Sequence, residues 1–396
     1  MARVLLKYAM QNALTPLSPS PGLSFIIACC KAEPDERDEA LIRSYAENAA
    51  PELLALCAGH GVLPTVYKTL KHFYGENVPE NVRPLLAAFK DAYTGVARHN
   101  MLMSAELLRI MKLLQESGIE ALAFKGPALA QLAYGDITLR QFGDLDILIR
   151  REDAEQAAEL LTHQGYEQTL NIPKAQEKAW YRNAKDIVLF HPQKGIYVEL
   201  HWLLLDNDYP VSLDPLAVWS SPQTVVINGQ KIPTFCDEML LYYLCLHGSK
   251  HLWERAGWIK DIDLLVRNGT IDWETLGREK EGRRMLLLGL HLPARLFGTP
   301  LPEMYSSLEG RWLSKLTGEV VAGWERPRGM IGDTAATLRL FPTFGMKLRY
   351  LFKVIARPSK NEYRFTDLPP GWHWLYYVVR PYLLLRKYLG SGPKDR

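Results

Sequence analysis

The chain has 396 residues, of which 47% are hydrophobic and 23% charged, and its formal net charge is +3. These values predict a globular protein with room for two or three domains. The five cysteines are odd in number and contain no C-x-x-C pair, which argues against a disulfide framework and a structural zinc site and favours a reducing cytoplasm. No stretch reaches about 18 apolar residues without a charge, so we expect no membrane span.

Hydrophobic periodicity divides the chain into four regions. Residues 1–115 carry apolar residues at three- and four-residue spacing and are predicted to be helical. Residues 116–205 combine strand and helix patterns and are predicted to form an α/β core. Residues 206–310 are predicted to form a helical domain, and residues 311–396 a basic, aromatic-rich helical region.

The α/β core opens with a strand, a turn and a helix. Residues 118–124 are predicted to form a short strand, and Lys125, Gly126 and Pro127 then begin a helical run. Glycine lets a backbone approach closely, and proline suits the first helical position, where its missing N–H costs nothing. The free N–H groups of such a helix start can hold phosphate.

Two aspartates mark the start of the next predicted strand. Asp144 and Asp146 are separated by one apolar residue and followed by the apolar residues 147–149. Because side chains alternate across a strand, both carboxylates lie on one side, about 7 Å apart along the backbone. The pattern predicts a divalent-metal site.

A third acid lies on a later strand. In residues 196–201, apolar side chains alternate with Tyr197, Glu199 and His201, and residues 186–190 are predicted to pair with this strand as an antiparallel hairpin. Two acids on one strand and one on another can hold two Mg²⁺ ions, the arrangement that clamps the attacking and leaving oxygens in phosphoryl displacement.

This order of elements resembles the nucleotidyltransferase superfamily that includes DNA polymerase β. The Lys-Gly-x-Ala-Leu-Ala start, Tyr134, Arg140, the Gly-Asp-Leu-Asp sequence and the Glu-Leu-His-Trp strand are similar to its branch of uncharacterised bacterial nucleotidyltransferases, over roughly residues 95–205. The resemblance implies an α+β fold, with a polymerase β-like core of a small mixed sheet and helices flanked by helical N-terminal and C-terminal regions.

The resemblance also implies a reaction and a set of site residues. A nucleoside monophosphate would pass from a nucleoside triphosphate such as ATP to a hydroxyl acceptor. Asp144, Asp146 and Glu199 would be the catalytic residues and would bind Mg²⁺ or Mn²⁺. The acceptor stays open, because a small sugar, an antibiotic, a protein hydroxyl and a nucleic acid end all satisfy this chemistry.

The turn before the helix departs from the superfamily pattern. Many members carry Gly-Ser, whose hydroxyl contacts nucleotide phosphate, whereas this chain has Lys125, Gly126 and Pro127. Lys125 and Gly126 therefore become candidates for binding the triphosphate. Arg140 is a third nucleotide-binding candidate, and it can instead pair with Asp136 or Asp144.

Other titratable residues have structural explanations. Asp261 and Asp263 copy the Asp-x-Asp spacing within a helical pattern, where residues two apart diverge, so Asp263 is predicted to be structural, whereas Asp261 can face the active cleft. His247 and His251 have zinc-protease spacing but no intervening glutamate, which favours packing over nucleotide contact. His201 can orient Glu199 or pack beside its neighbour.

The C-terminal residues 339–396 contain twelve Lys or Arg and three Asp or Glu. They are either a solvated helical tail or a basic, aromatic segment that contacts an anionic membrane surface or nucleic acid. The sequence thus leaves two alternatives to catalysis: a non-catalytic nucleotide-binding or regulatory module, and a peripheral membrane interaction protein that uses this segment.

Overall fold

The computed structural model describes the chain between residues 19 and 389, with short gaps. The residues left out are 1–18, 49–51, 171, 173, 182–183, 207–208, 214, 279–280, 309, 327, 367, 370 and 390–396. The beginning of the predicted N-terminal helical region and the end of the predicted basic region therefore lie outside the described residues.

Helices precede the sheet, as the sequence predicts. Their bounds are α1 Pro21–Cys30, α2 Glu36–Glu47, α3 Leu53–Gly59, α4 Leu63–Tyr74 and α5 Arg83–Glu116. The Asp35 side chain caps α2 by accepting hydrogen bonds from the backbone N–H groups of Arg37 and Asp38. Helix α5 is 34 residues long, and Pro84 is tolerated in its first turn.

A five-stranded mixed sheet with flanking helices follows. Its elements are β1 Ala121–Ala123, α6 Gly126–Tyr134, β2 Asp144–Ile149, α7 Ala154–His163, β3 Glu167–Gln168, α8 Lys174–Tyr181, β4 Asp186–His191 and β5 Ile196–His201. The strand order is β1-β2-β5-β4-β3. Strands β2 and β5 are parallel, and the other neighbours are antiparallel. The α+β class, the Asp-x-Asp strand and the hairpin are confirmed.

The two faces of β2 pack against different groups of helices. Leu145, Ile147 and Ile149 join a hydrophobic cluster with the second half of α5 and with α7. Leu148 joins a second cluster that contains α1, α4 and helices after the sheet. Alternation along the strand therefore puts Asp144 and Asp146 on the same side as the second cluster. They lie at the start of β2, where a cleft adjoins that cluster.

A β-hairpin lies within the region predicted to be a helical domain. Strands β6 Gln223–Ile227 and β7 Gln230–Thr234 pair in antiparallel fashion and follow the short helix α9 Pro215–Ser220. Asn228 and Gly229 form the turn, with φ angles of 48° and 78°. An Asn-Gly pair between apolar, β-branched residues is the sequence signal for such a turn, so the purely helical prediction for this region is wrong.

Helices complete the described part of the chain. They are α10 Asp237–Lys250, α11 Ala256–Asn268, α12 Trp273–Gly277, α13 Arg283–Phe297, α14 Glu303–Ser306, α15 Arg311–Glu325, α16 Gly329–Leu340, α17 Phe344–Ala356, α18 Lys360–Phe365 and α19 Tyr376–Leu389. Helices α1, α4, α10, α11 and α13 share one hydrophobic cluster across the predicted region boundaries. The four-region division itself stays a prediction. Within the described residues, every helix is too short or too polar to cross a bilayer.

Candidate functional site

The turn that begins α6 sits directly on the first residue of β2. Gly126 has φ +53°, and a Cβ atom built there would lie 3.1 Å from the carbonyl oxygen of Asp144. Glycine meets both demands, the left-handed backbone and the close approach. The N-terminus of α6 and the carboxylates of β2 are therefore neighbours, as the sequence pattern indicates.

Asp146 is the best-connected carboxylate of the site. Lys125 Nζ donates a hydrogen bond to its Oδ1 atom at 2.8 Å, and His201 Nε2 lies 3.1 Å from the same oxygen. The other oxygen, Oδ2, is buried and has no hydrogen-bond partner among the described residues. A buried carboxylate oxygen without a donor is costly unless a cation satisfies it.

Glu199 lies beside Asp146 on the neighbouring strand. The parallel register of β2 and β5 places Glu199 opposite Asp146, and His201 opposite Leu148. His201 Nε2 is 3.1 Å from Glu199 Oε2 as well as from Asp146. The imidazole therefore holds the two carboxylates together, which favours the orienting role over simple packing.

The two aspartates have different electrostatic surroundings. Burial, and then repulsion from Asp146, raise the pKa of Asp144 to about 6, although Lys125 opposes this. Burial alone would raise the pKa of Asp146, but Lys125 and His201 together hold it below its usual value. The hydrogen bond from His201 lowers the pKa of Glu199 against the opposing effect of burial. Two of the three carboxylates are thus held in the charged form needed for a metal ligand.

Three residues offer metal-ligand atoms close together. The ligand atoms of Asp146, Glu199 and His201 all lie within 4.8 Å of one another. Together with the orphaned Oδ2 atom of Asp146, this donor set fits a divalent cation. The carboxylates suit Mg²⁺ or Mn²⁺, both of which prefer oxygen ligands. Asp144 lies outside that close group and lines the adjoining cleft.

Arg140 makes a contact that was not considered from the sequence. Its Nε and Nη2 atoms donate to Asp261 Oδ1 and Oδ2 at 2.9 and 3.0 Å, and the Tyr134 hydroxyl donates to Oδ1 at 2.9 Å. Arg140 and Asp261 are both buried. The structure therefore pairs Arg140 with Asp261, while the arginine still lines the cleft.

Asp263 and the histidine pair have the packing roles that the sequence favours. Buried Asp263 accepts hydrogen bonds from Lys260, Arg267 and the Thr299 hydroxyl. The rings of His247 and His251 have centroids 4.8 Å apart.

Both histidine rings also contact Trp258, with centroids at 5.3 and 5.7 Å. Burial, and then Lys250, lower the pKa of His251 to about 4. Burial also lowers the pKa of His247 well below its usual value, so the two imidazoles form a neutral aromatic wall of the cleft.

A cleft of about 610 Å³, here called the central cavity, joins these groups. Its lining includes Lys125, Arg140, Asp144, Lys185, Glu199, His201, Tyr243, His247, Lys250, His251 and Trp258. Of the six residues expected at the site, five line this cavity or contact its lining side chains: Lys125, Arg140, Asp144, Asp146 and Glu199. Gly126 lies beneath it, against Asp144.

Lys185 is a site residue that the sequence analysis missed. It contacts Asp186, and its Nζ atom lies 3.5 Å from His201 Nδ1. The hairpin register pairs Asp186 with His201, so continuing the predicted hairpin by one position would have brought Lys185 to the site. Tyr243 gave no such signal, because it reaches the cavity from α10, far along the chain.

Comparison with known proteins identifies a family. A family model described as an uncharacterised nucleotidyltransferase matches residues 46–298, well over half of the chain. No curated protein matches the chain. Among solved structures, the chain is similar to an antigenic nucleotidyltransferase-like protein from Paracoccidioides brasiliensis, with 18% identity and a TM-score of 0.30, over 50% of this chain and 87% of that one.

Proposed function

Because the chain belongs to the family of uncharacterised nucleotidyltransferases, we propose that it transfers a nucleoside monophosphate from a nucleoside triphosphate to a hydroxyl acceptor. The observation that carries the proposal is the buried Oδ2 atom of Asp146, which has no hydrogen-bond partner in the described part of the chain and lies beside Glu199 and next to the start of α6. Asp144, Asp146 and Glu199 would hold the metal. Mg²⁺ or Mn²⁺, when bound, supplies positive charge to the phosphates and acidifies the acceptor hydroxyl.

The residues on either side of the carboxylates have separate tasks in this proposal. Lys125 and the backbone N–H group of Gly126 bear the charge of the triphosphate. Pro127 has no N–H group, and those of Ala128 and Leu129 donate to the carbonyl oxygen of Lys125. Glu199 orients the acceptor hydroxyl and takes its proton as the oxygen bonds to the α-phosphorus. The bond from the α-phosphorus to its bridging oxygen breaks, and pyrophosphate leaves. His201 keeps Asp146 and Glu199 in position.

Arg140 has an indirect task. Its guanidinium is engaged by Asp261, so it contributes positive charge at the cavity wall and fixes the loop before β2. The aromatic wall of His247, His251 and Trp258 suits stacking of a nucleobase.

Calorimetry tests the proposal. Each of the four ribonucleoside triphosphates is titrated, with Mg²⁺ or with chelator, into wild type and into Asp144→Asn/Asp146→Asn. We expect metal-dependent binding to wild type and at least a tenfold loss in the variant. Glu152→Gln/Glu155→Gln removes the same charge from exposed positions and should bind like wild type.

Two outcomes count against the proposal. Unchanged metal-dependent binding in the Asp144→Asn/Asp146→Asn variant would mean that these carboxylates do not form the site. Tight nucleotide binding to wild type without pyrophosphate release for any acceptor would favour the non-catalytic, regulatory alternative.

A reducing compartment fits the free thiols of the cysteines, and we propose the cytoplasm.

The C-terminal helices favour peripheral contact with an anionic membrane as a second role. Phe344, Leu348 and Phe352 lie four residues apart on α17 and are 79%, 57% and 58% exposed. Helix α19 exposes Val378, Tyr382 and Leu385 in the same way.

Basic residues outnumber acidic ones in this part of the chain, since residues 339–396 contain twelve Lys or Arg and three Asp or Glu. Exposed apolar groups among basic ones are typical of helices that lie on anionic lipid.

Vesicle sedimentation tests this role. Phe344→Ser/Leu348→Ser/Phe352→Ser should lose binding to vesicles with phosphatidylglycerol. Met101→Ser/Leu102→Ser changes residues of similar exposure on α5 and should not. Equal binding by both variants, or salt-sensitive binding to an oligonucleotide in place of vesicles, would contradict the membrane role.

A further inference from the structure

A second cavity adjoins the central one on the Glu199 side. This lateral cavity has a volume of about 740 Å³ and lies between the start of β4, the end of α10 and helices α17 and α19. Lys185 and Lys250 line both cavities. Lys185 is also 3.5 Å from His201, which contacts Glu199. The lateral cavity therefore meets the central one beside the residue proposed to orient the acceptor.

Positive charge converges on one wall of the lateral cavity. Lys250, Lys353 and Arg357 lie 3.3, 2.5 and 3.9 Å from the carboxylate of Asp206. Three basic side chains, from α10, α17 and the residue after α17, thus meet at Asp206. Such a group of cations is a site for an anion, and for phosphate in particular, because phosphate offers several acceptor oxygens.

Lys250 has other cations close to it. Burial lowers its pKa, Asp206 partly opposes this, and Lys353 and Lys185 lower it further. An additional anion in the cavity would relieve this repulsion. Arg380 supplies a further cation from α19, where it donates to Ser359 Oγ at 3.1 Å and lies 3.3 Å from Glu362.

The lateral cavity also has a hydroxyl group that lacks a partner within the part of the chain that the structure describes. Tyr209 lines the cavity, its side chain is almost fully buried, and its hydroxyl has no hydrogen-bond partner among the described residues. Lys353 Nζ lies 5.1 Å from the centre of the Tyr209 ring. A buried hydroxyl without a partner is costly, which indicates that a polar ligand satisfies it.

We propose that the lateral cavity binds the acceptor, and that the acceptor is a hydroxyl-bearing phosphate ester. Its phosphate would lie against Lys250, Lys353 and Arg357, and its hydroxyl would reach Glu199 past Lys185. This inference rests on the proposed nucleotidyl transfer. The same chemistry is found in a soluble sugar phosphate and in a phospholipid headgroup with free hydroxyls, and α17 carries both the cavity wall and the exposed apolar residues.

Titration with glycerol 3-phosphate, inorganic phosphate and glycerol tests the inference. The two phosphates should bind wild type and glycerol should not. Lys353→Gln/Arg357→Gln should weaken phosphate binding at least tenfold. Lys347→Gln/Arg386→Gln removes the same charge from α17 and α19 outside the cavity lining. This control should change the phosphate affinity less than twofold.

A conservative variant tests the inference in a protein that should keep its fold. Tyr209→Phe removes only the unpartnered hydroxyl, so it should keep the stability of the wild type and weaken glycerol 3-phosphate binding several-fold. Vesicles with phosphatidylglycerol, or soluble sugar phosphates, should compete for the site, and the better competitor identifies the source of the acceptor.

Three results would overturn the inference: no phosphate binding to wild type, equal loss in the matched control, or one-for-one displacement by the four ribonucleoside triphosphates with Mg²⁺. The last result would mean that phosphate occupies the triphosphate site. Glycerol 3-phosphate should bind Asp144→Asn/Asp146→Asn normally, so failure of nucleotide binding and failure of acceptor binding are separate observations.

Discussion

At the scale of single residues, the site depends on a few side chains with more than one partner. His201 contacts both Asp146 and Glu199, and Lys125 donates to the same oxygen of Asp146 that His201 contacts. Asp146 and Glu199 are thus held in position by Lys125 and His201, which are themselves titratable groups. Changing one of them should therefore alter the electrostatics of the whole site, and a histidine substitution with a matched control separates this effect from loss of folding.

His201→Ala should weaken metal-dependent nucleotide binding by about 10–100-fold, the usual cost of losing a group that orients metal ligands. Calorimetry measures the affinity, and thermal unfolding reports the fold. His191→Ala removes another buried histidine of the same sheet, away from the carboxylates, and should leave affinity unchanged. Similar affinity losses in both variants would show that His201 acts only through packing.

Gly126→Ala should destabilise the protein by about 1–2 kcal/mol, because alanine is strained at φ +53° and its Cβ would press on the Asp144 carbonyl. Gly143→Ala is a matched control, since nothing lies within 4 Å of a Cβ atom there. Urea unfolding measures the free energy of unfolding of both variants. Equal stability of the two variants would contradict the close approach of the turn to β2.

At the scale of elements, local patterns predict more than distant pairings do. Alternation along β2 and β5 was enough to place Asp144, Asp146 and Glu199 on one face, because strand periodicity is a property of a few consecutive residues. The β6–β7 hairpin was missed although Asn228 and Gly229 carry its signal.

The pairing of Arg140 with Asp261 spans 121 positions and depends on how α11 packs, which no local pattern reveals. Tyr243 reaches the central cavity from α10 for the same reason. The sequence therefore predicted the carboxylates of the site better than its walls.

An acid-sensitive contact joins α5 to the sheet. Glu106 on α5 is held by Arg109, Tyr166 and Lys194. Burial raises its pKa, but these donors outweigh burial and lower it from 4.5 to about 2.

The folded protein therefore keeps Glu106 charged where the unfolded chain does not, so its stabilising effect is complete above pH 4.5 and is lost as the pH falls towards 2. The effect amounts to at most about 3 kcal/mol. Urea unfolding of wild type and Glu106→Gln between pH 7 and pH 2 should show a stability difference that shrinks with acid. A constant difference would contradict the assignment.

At the scale of the whole molecule, helices that follow the sheet along the chain close the site. The central cavity is bounded by β2 and β5 on one side and by α10 and α11 on the other, and a shared hydrophobic cluster joins α10 and α11 to α1 and α4. The buried pair of Arg140 and Asp261 ties the loop before β2 to α11.

Loss of that buried ion pair should lower the stability of the protein strongly. Asp261→Asn should destabilise the protein by about 3–5 kcal/mol, because it leaves a buried guanidinium without its counter-charge. Arg140→Met/Asp261→Leu should recover much of that stability. If the double variant also binds Mg²⁺-nucleotide normally, Arg140 is structural; if binding falls in a stable double variant, Arg140 contributes charge to the nucleotide.

The central claim is that Asp144, Asp146 and Glu199 together hold a divalent cation with nucleotide. Electron paramagnetic resonance of Mn²⁺ tests it most directly, with the protein titrated in the presence and absence of nucleoside triphosphate. We predict bound Mn²⁺ whose affinity rises with nucleotide and falls at least tenfold in each of Asp144→Asn, Asp146→Asn and Glu199→Gln. Mn²⁺ binding of equal affinity in wild type and all three variants would contradict the account.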